Sequence, residues 1–276
     1  MQVLAVTGPS NTGKTTLIER LTERLSTTGT VGTIKHIDCE PTLDTDGKDT
    51  ARHRSAGAIR TYGLAESQWF ATGADRSLTD ALDELAPICD YALVEGYRGS
   101  ALPMVVLGEE EATADSDIVA QAPTADDIAL DAVIDSLDSL EPYETLTSLV
   151  ERSKQSEAAD RAGAIATFTG RVREKDSPDD APTEFLEFEK YEGVAEERMA
   201  AIIDELEARE GVYDVRMHHR TGIVEAGEDI VFVVVLAGHR SEAFQTVEDG
   251  INRLKDEVPL FKKEVTVDGE FWAHEQ

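Results

Sequence analysis

The chain has 276 residues and a formal charge of −30, with 56 acidic residues against 26 basic ones, and 41% of it is hydrophobic. That length suits two domains of ordinary size. The acidity disfavours generic binding to nucleic acid or anionic membrane, because phosphates would be repelled. No apolar run approaches the roughly 20 residues of a membrane span.

The acidic residues spread along the whole chain rather than forming tails. This is the balance expected of a protein kept soluble in concentrated salt, where screening weakens self-repulsion. The start, MQVLAVTGPSNTGKTT, lacks a basic segment and a cleavage site, so a cytoplasmic location is expected. Cys39 and Cys89 form no disulfide framework or metal-ligand spacing and read as two reduced thiols. There are nine lysines against seventeen arginines. Six of those lysines (Lys14, Lys35, Lys48, Lys255, Lys262 and Lys263) fall within the motifs that follow.

Residues 2–7 predict a short buried strand, followed by a glycine-containing loop and a helix carrying Leu17, Leu21 and Leu25, which Gly29 can stop. Strands are predicted at Val31–Ile34, Tyr91–Val94, Met104–Leu107 and Ile118–Ala120. A helical pattern runs from Ala125 to Leu140. Alternating strands and helices give an α/β domain over residues 1–140.

A polar helical stretch, Thr145–Arg161, opens the second domain, 141–276. Strands are predicted at Gly163–Thr169, Glu184–Tyr191 and Ile230–Ala237. One helix carries Met199, Ile202, Ile203 and Leu206. Another carries Phe244, Val247, Ile251, Leu254 and Val258; Ser241 can cap it and Pro259 must end it. The lack of regular alternation makes this domain α+β.

Gly8-Pro9-Ser10-Asn11-Thr12-Gly13-Lys14-Thr15 fits G-x-x-x-x-G-K-[ST] between a strand and a helix, and Thr16 follows it. Loop N–H groups and the helix N-terminus face phosphates, Lys14 neutralises them, and the Thr15 hydroxyl suits Mg²⁺. Glu95 ends an apolar strand and can hold the metal's water shell; Asp44, Lys48 and Asp49 form a second polar cluster able to reach it. Asp49 is therefore a candidate metal residue beside Thr15 and Glu95. The plain alternatives are an acidic residue capping a strand for Glu95 and an exposed charged turn for the cluster.

Gly8–Thr16, VGTIKH (31–36), DGKDTARHRSAGA (46–58) and LVEGYR (93–98) resemble molybdopterin-guanine dinucleotide biosynthesis protein B, the MobB type. The resemblance covers about residues 1–140. It implies a P-loop NTPase fold and a GTP- and Mg²⁺-binding adapter with weak hydrolysis at most, working with the guanylyltransferase of the same pathway. After Lys35-His36 this chain has Ile37-Asp38-Cys39, where the family often has more histidines. A small-molecule kinase is the competing reading, but no separate arginine-rich lid is evident.

The second half carries four basic clusters at element boundaries: Arg171-Val172-Arg173, His218-His219-Arg220, His239-Arg240, and Arg253, Lys255, Lys262 and Lys263. Taken singly, each reads as a surface charge paired with abundant carboxylates. Together they point to one anionic substrate. A helix N-terminus beside His239 and Arg240 suits an anion.

AGAIATFTGRVR (162–173), LEFEKY (186–191), HHRTG (218–222), AGHRSEAF (237–244) and INRLKDEVPLFKKE (251–264) resemble, in order, the large subunit of molybdopterin synthase, the MoaE type. The match covers nearly all of residues 160–272. Phe261 stands where that family usually has tryptophan, and the loop Lys175–Thr183 is long and acidic. With the first resemblance, this describes a MobB–MoaE fusion of haloarchaeal character.

The MoaE resemblance implies sulfur transfer from the thiocarboxylated Gly-Gly terminus of a ubiquitin-like small subunit to cyclic pyranopterin monophosphate, forming a dithiolene. It gives the catalytic role to Lys255 and Lys262 and substrate binding to Arg171, Val172, Arg173, His239, Arg240, Lys263 and Glu264. It also implies a homodimer through the second domain and no tightly bound cofactor there. An amine beside an activated acyl tail could itself be acylated, so Lys255 or Lys262 could form an isopeptide with the small subunit. The alternative is a P-loop GTPase or kinase whose second half only docks a ubiquitin-like protein.

Overall fold

In the computed structural model, residues 1–39, 47–109, 117–175, 177–191, 193–267 and 269–273 are described. The expected Asp44 lies outside them. The chain forms two compact units, Met1–Tyr143 and Glu144–Gln276.

The first unit runs β1 (Gln2–Thr7), α1 (Lys14–Leu25), β2 (Val31–Lys35), α2 (Asp49–Ser55), β3 (Arg60–Leu64), β4 (Trp69–Gly73), α3 (Leu78–Leu85), β5 (Tyr91–Glu95), β6 (Met104–Leu107), β7 (Ile118–Ala122) and α4 (Leu130–Leu137). Five strands form one parallel sheet in the order β2-β5-β1-β6-β7. Both faces are covered, which explains why its strands read as unbroken apolar runs. Leu4 and Val6 pack with Leu17, Leu21, Val133 and Leu137 on one side. Val3 and Ala5 pack with Leu82 and Ala86 on the other. Each fully buried leucine contributes on the order of 2 kcal/mol. β3 and β4 pair as a separate antiparallel hairpin. The pattern expected over 125–140 is split: a 3₁₀ turn at Ala125–Asp127 precedes α4.

The second unit opens with α5 (Leu146–Lys154) and continues with β8 (Ala164–Arg171), β9 (Thr183–Lys190), α6 (Val194–Glu207), β10 (Val212–His219), β11 (Gly222–Glu225), β12 (Asp229–Ala237), α7 (Arg240–Glu257), β13 (Leu260–Thr266) and β14 (Gly269–Ala273). β10-β12-β8 form one antiparallel sheet and β11-β9-β13-β14 a second. Along β12, Val231, Val233, Val235 and Ala237 pack with α6 and α7 through Ile202, Leu206, Val247, Ile251 and Leu254. The alternate residues Phe232 and Val234 pack with Leu149 of α5. A strand covered on both faces has no polar side, hence its continuous apolar sequence.

Two local expectations need correction. The N-cap of α7 is His239 rather than Ser241, whose hydroxyl donates to Glu242. Phe244 is 67% exposed, because the face of α7 turned to the sheet carries Ala243, Val247, Gly250, Ile251 and Leu254. Gly250 allows close approach: an added Cβ would lie 2.9 Å from Met217 Cε and 3.2 Å from Val233 Cγ1.

Candidate functional site

The loop between β1 and α1 requires its glycines. Gly8 has φ +138°, and a Cβ there would lie 2.3 Å from the Leu107 carbonyl oxygen; Gly13 has φ +92°, with Ala125 Cβ 2.8 Å from such an atom. Asn11 also adopts positive φ, +67°, a conformation its short polar side chain tolerates. The Ala125 N–H donates to the Thr12 carbonyl and pins the loop to the end of β7. Pro9, Ser10 and Asn11 are exposed, as are Thr15 and Thr16 in the first turn of α1.

Lys14 Nζ donates to the Gly8 and Pro9 carbonyls at 2.7 and 2.6 Å. The Thr15 hydroxyl donates to Glu95, with Oε1 and Oε2 at 3.2 and 3.0 Å. Lys35, in register with Glu95 on the neighbouring strand, places Nζ 2.8 Å from Oε1. Parallel topology thus collects the loop, Glu95 and Lys35 at the C-terminal ends of β1, β5 and β2. Asp49 is not part of this group: it sits exposed in the first turn of α2 and pairs with Arg52 at 3.8 Å. Among the described residues no three His, Cys, Asp or Glu side chains form a metal cage. A cation held by Thr15 and Glu95 would need further oxygens from a phosphate or water.

The second unit holds a cavity of about 300 Å³. Phe168, Leu186, Phe188, Val231, Ile251 and Leu254 form the apolar part of its wall. Its charged groups are Arg171 at the end of β8 and Arg173 just beyond it, Lys255 from the last turn of α7, and Lys262 and Glu264 from β13. Residues some ninety positions apart therefore converge because β8 and β13 belong to the two sheets that bound the cavity. Arg171 is held by Asp229 Oδ1 at 3.0 Å and by the Gly227 carbonyl. Thr183 donates its hydroxyl to Glu264.

Four expected substrate-binding residues are placed elsewhere. Val172 is 2% exposed and packs in a small core with Leu186, Phe188, Val224 and Ile230. Lys263 is set on the opposite face of β13 by strand alternation, 3.7 Å from Glu187. His239 and Arg240 begin α7, whereas Lys255 lies in its last turn, about 22 Å further along at 1.5 Å per residue. Other members of the basic clusters are ion-paired. Arg253 meets Glu205 and Glu257, each at 2.7 Å, and Arg220 meets Glu228 at 3.2 Å. Among the lining residues given no individual role from the sequence is His219, at the end of β10. Its signal in the sequence was membership of the HHRTG motif.

No helix among the described residues is long and apolar enough to cross a membrane. The family described as molybdopterin guanine dinucleotide synthesis protein B matches residues 3–131, and that described as MoaE protein matches 141–257. A Haloferax volcanii protein described as a probable molybdopterin synthase is 50% identical over 277 residues, with 100% of both chains covered. The molybdopterin synthase catalytic subunit of Escherichia coli is 38% identical over 114 residues, which are 41% of this chain and 75% of that one. Molybdopterin synthase from Staphylococcus aureus is a solved structure with 32% identity and a TM-score of 0.43, covering 49% of this chain and 94% of its own. Bacillus subtilis MobB has 26% identity and a TM-score of 0.39, covering 52% of this chain and 100% of its own.

Proposed function

From the premise that this chain belongs to the molybdopterin synthase family, as a MoaE domain preceded by a MobB domain, we propose how its two units work. The second unit moves sulfur from the thiocarboxylated C-terminus of a ubiquitin-like small subunit to cyclic pyranopterin monophosphate. A complex of subunits 1 and 2 of the molybdopterin-converting factor is known in Helicobacter pylori, which supports such a partner. The observation that carries this reading is the convergence of Arg171, Arg173, Lys255 and Lys262 on one cavity in a chain of net charge −30.

Cations held in place beside a cleft act more strongly than mobile ones on charge that develops during reaction. Arg171 and Arg173 bind the substrate's phosphate. Lys262 stabilises the oxyanion at the tail carbonyl, and Lys255 acts at the pterin. Glu264, held by Thr183, orients the substrate's hydrogen-bonding edge. An activated tail in this position can also acylate Lys255 or Lys262, which would close the site. His239 and Arg240, too far along α7 to serve the same cavity, are assigned to the cavity of a second copy in a homodimer.

The first unit holds GTP with Mg²⁺ for the later guanine-nucleotide step, together with the guanylyltransferase. The donor set fits: by donating its hydrogen to Glu95, Thr15 leaves oxygen lone pairs for the metal, and Glu95 can hold the metal's water shell. Thr15 and Glu95 would hold Mg²⁺, which would supply positive charge to the phosphates, and Lys14 would leave the loop carbonyls to neutralise them.

The test is reconstitution with cyclic pyranopterin monophosphate and thiocarboxylated small subunit, assayed for molybdopterin with and without GTP. Lys255→Ala and Lys262→Ala should each slow dithiolene formation by at least about a hundredfold and leave GTP binding intact. Full dithiolene formation in both variants would refute the proposal. Loss of activity only on Lys14→Ala would favour a P-loop switch carrying a docking module.

A further inference from the structure

His219 ends β10, and its imidazole lines the cavity beside Lys262. Nδ1 lies 2.7 Å from the Arg220 carbonyl oxygen. A carbonyl only accepts, so Nδ1 carries the hydrogen, and proton gain or loss by this ring is confined to Nε2. The ring stands edge-on to Phe188, with centroids 4.8 Å apart and planes at 70°. Phe188 is in register with Lys262 across β9 and β13. His219 and Lys262 therefore flank one aromatic ring, the first from the β10-β12-β8 sheet and the second from the other. On its own sheet His219 is in register with Val231, and Val231 with Gly170. An added Cβ at Gly170 would lie 2.6 Å from Val231 Cγ1, so Val231 packs directly against the Gly170 backbone in this row.

The chemistry needs a group of this kind. When a thiocarboxylate sulfur bonds to a pterin carbon, the tail stays joined to the substrate as a thioester. Releasing it requires water: a C–O bond forms at the acyl carbon, the C–S bond breaks, and sulfur leaves as a thiolate on the pterin. The tail departs as a carboxylic acid, and water's other proton must go to a base. Arg171 and Arg173 cannot act as that base, since a guanidinium does not deprotonate. A lysine ammonium stabilising the oxyanion cannot accept the proton while doing so. Glu264, which accepts one hydrogen bond from Thr183, keeps further acceptor sites and is the competing base that the experiment must separate from His219.

We propose that His219 is a catalytic residue of the synthase, the general base whose Nε2 takes the proton from the water that hydrolyses the tail–pterin thioester. This inference rests on the synthase reading above. The experiment is single-turnover reaction of the full chain with thiocarboxylated small subunit and cyclic pyranopterin monophosphate, quenched over time and read by intact mass.

In His219→Asn, whose amide can still donate to the Arg220 carbonyl, the small subunit–pterin adduct should form at the wild-type rate. It should decay about a hundredfold more slowly, the low end of what a general base supplies. Added imidazole should restore decay in His219→Ala, which recovery of packing alone would not do. Wild-type decay in His219→Asn would overturn the proposal. So would accumulation of the adduct in Glu264→Gln instead, or failure of imidazole to rescue a folded His219→Ala protein. If the wild-type chain makes neither adduct nor molybdopterin, the synthase reading itself falls.

Discussion

Lys262 and Lys263 are adjacent in sequence and equal in charge, yet strand parity separates their roles. Lys262 is in register with buried Phe188 and lines the cavity, whereas Lys263 is in register with Glu187 on the other face. Removing one preorganised charge donor from an active site costs about 2.7–4 kcal/mol, or 10²–10³ in rate. That is the expected loss for Lys262→Ala. The Lys263–Glu187 pair spans 3.7 Å with side chains 22% and 35% exposed. At water's dielectric its attraction is about 1 kcal/mol, and comparable measured pairs contribute about 0.2–1 kcal/mol. Lys263→Ala should therefore lower stability by at most about 1 kcal/mol and change the rate less than about fivefold. Molybdopterin formation under single-turnover conditions, with thermal unfolding alongside, measures both. Equal rate losses in the two variants would refute the argument from alternation.

Three further outcomes are expected. Gly8→Ala forces a Cβ against the Leu107 carbonyl at φ +138°; it should cost at least about 2 kcal/mol and remove any thermal shift on adding GTP with Mg²⁺, as scanning fluorimetry would show. Burial, and after it the neighbouring Asp90 carboxylate, push the Cys89 thiol up, whereas Cys39 is exposed. Limiting iodoacetamide near neutral pH should label Cys39 first, and peptide mapping that finds Cys89 labelled first would contradict this. The Lys190 hydrogen bond, aided by the Gly193 N–H, holds the Glu196 carboxyl below its ordinary 4.5 despite some desolvation. Because the folded value is the lower one, this stabilisation is present above pH 4.5 and is lost as pH falls through the folded value. Glu196→Gln should thus be less stable at neutral pH, by under about 1 kcal/mol after solvent screening, and the gap should close in acid titrations of unfolding.

Much of this was legible before the structure. Strand–loop–helix order around Gly8–Thr15 follows from apolar runs and leucine spacing, and Pro259 limits α7 as expected. The hairpin of β3 and β4 gave no such signal: its segments, RTYGL and WFATG, are short, glycine-bearing and largely exposed, so neither alternation nor an apolar run marks them. Within the candidate site, sequence order collected residues that geometry separates. The KKE run reads as one motif, but a period of two sends its middle member to the opposite face. His239 and Arg240 share a helix with Lys255, and an 18-residue helix holds them far apart. His219 went unassigned because register with Val231, and the closeness of Phe188 to it, arise only when two sheets are brought together.

The folding of Lys14 onto its own loop has a consequence for how any polyphosphate competes for that place. The ammonium already has two acceptors, at 2.7 and 2.6 Å, so part of its hydrogen-bonding capacity is spent on the loop itself. An entering ligand must displace those carbonyls before it gains the lysine. With charge-assisted hydrogen bonds each contributing about 1.5 kcal/mol, the exchange handicaps binding by about a hundredfold relative to a loop with its lysine already extended. The cradle behaves as its own competitive inhibitor, present at unit stoichiometry and never diluted. On the proposal that this loop binds a nucleotide, a longer phosphate chain would displace the two backbone carbonyls more readily than a single phosphate.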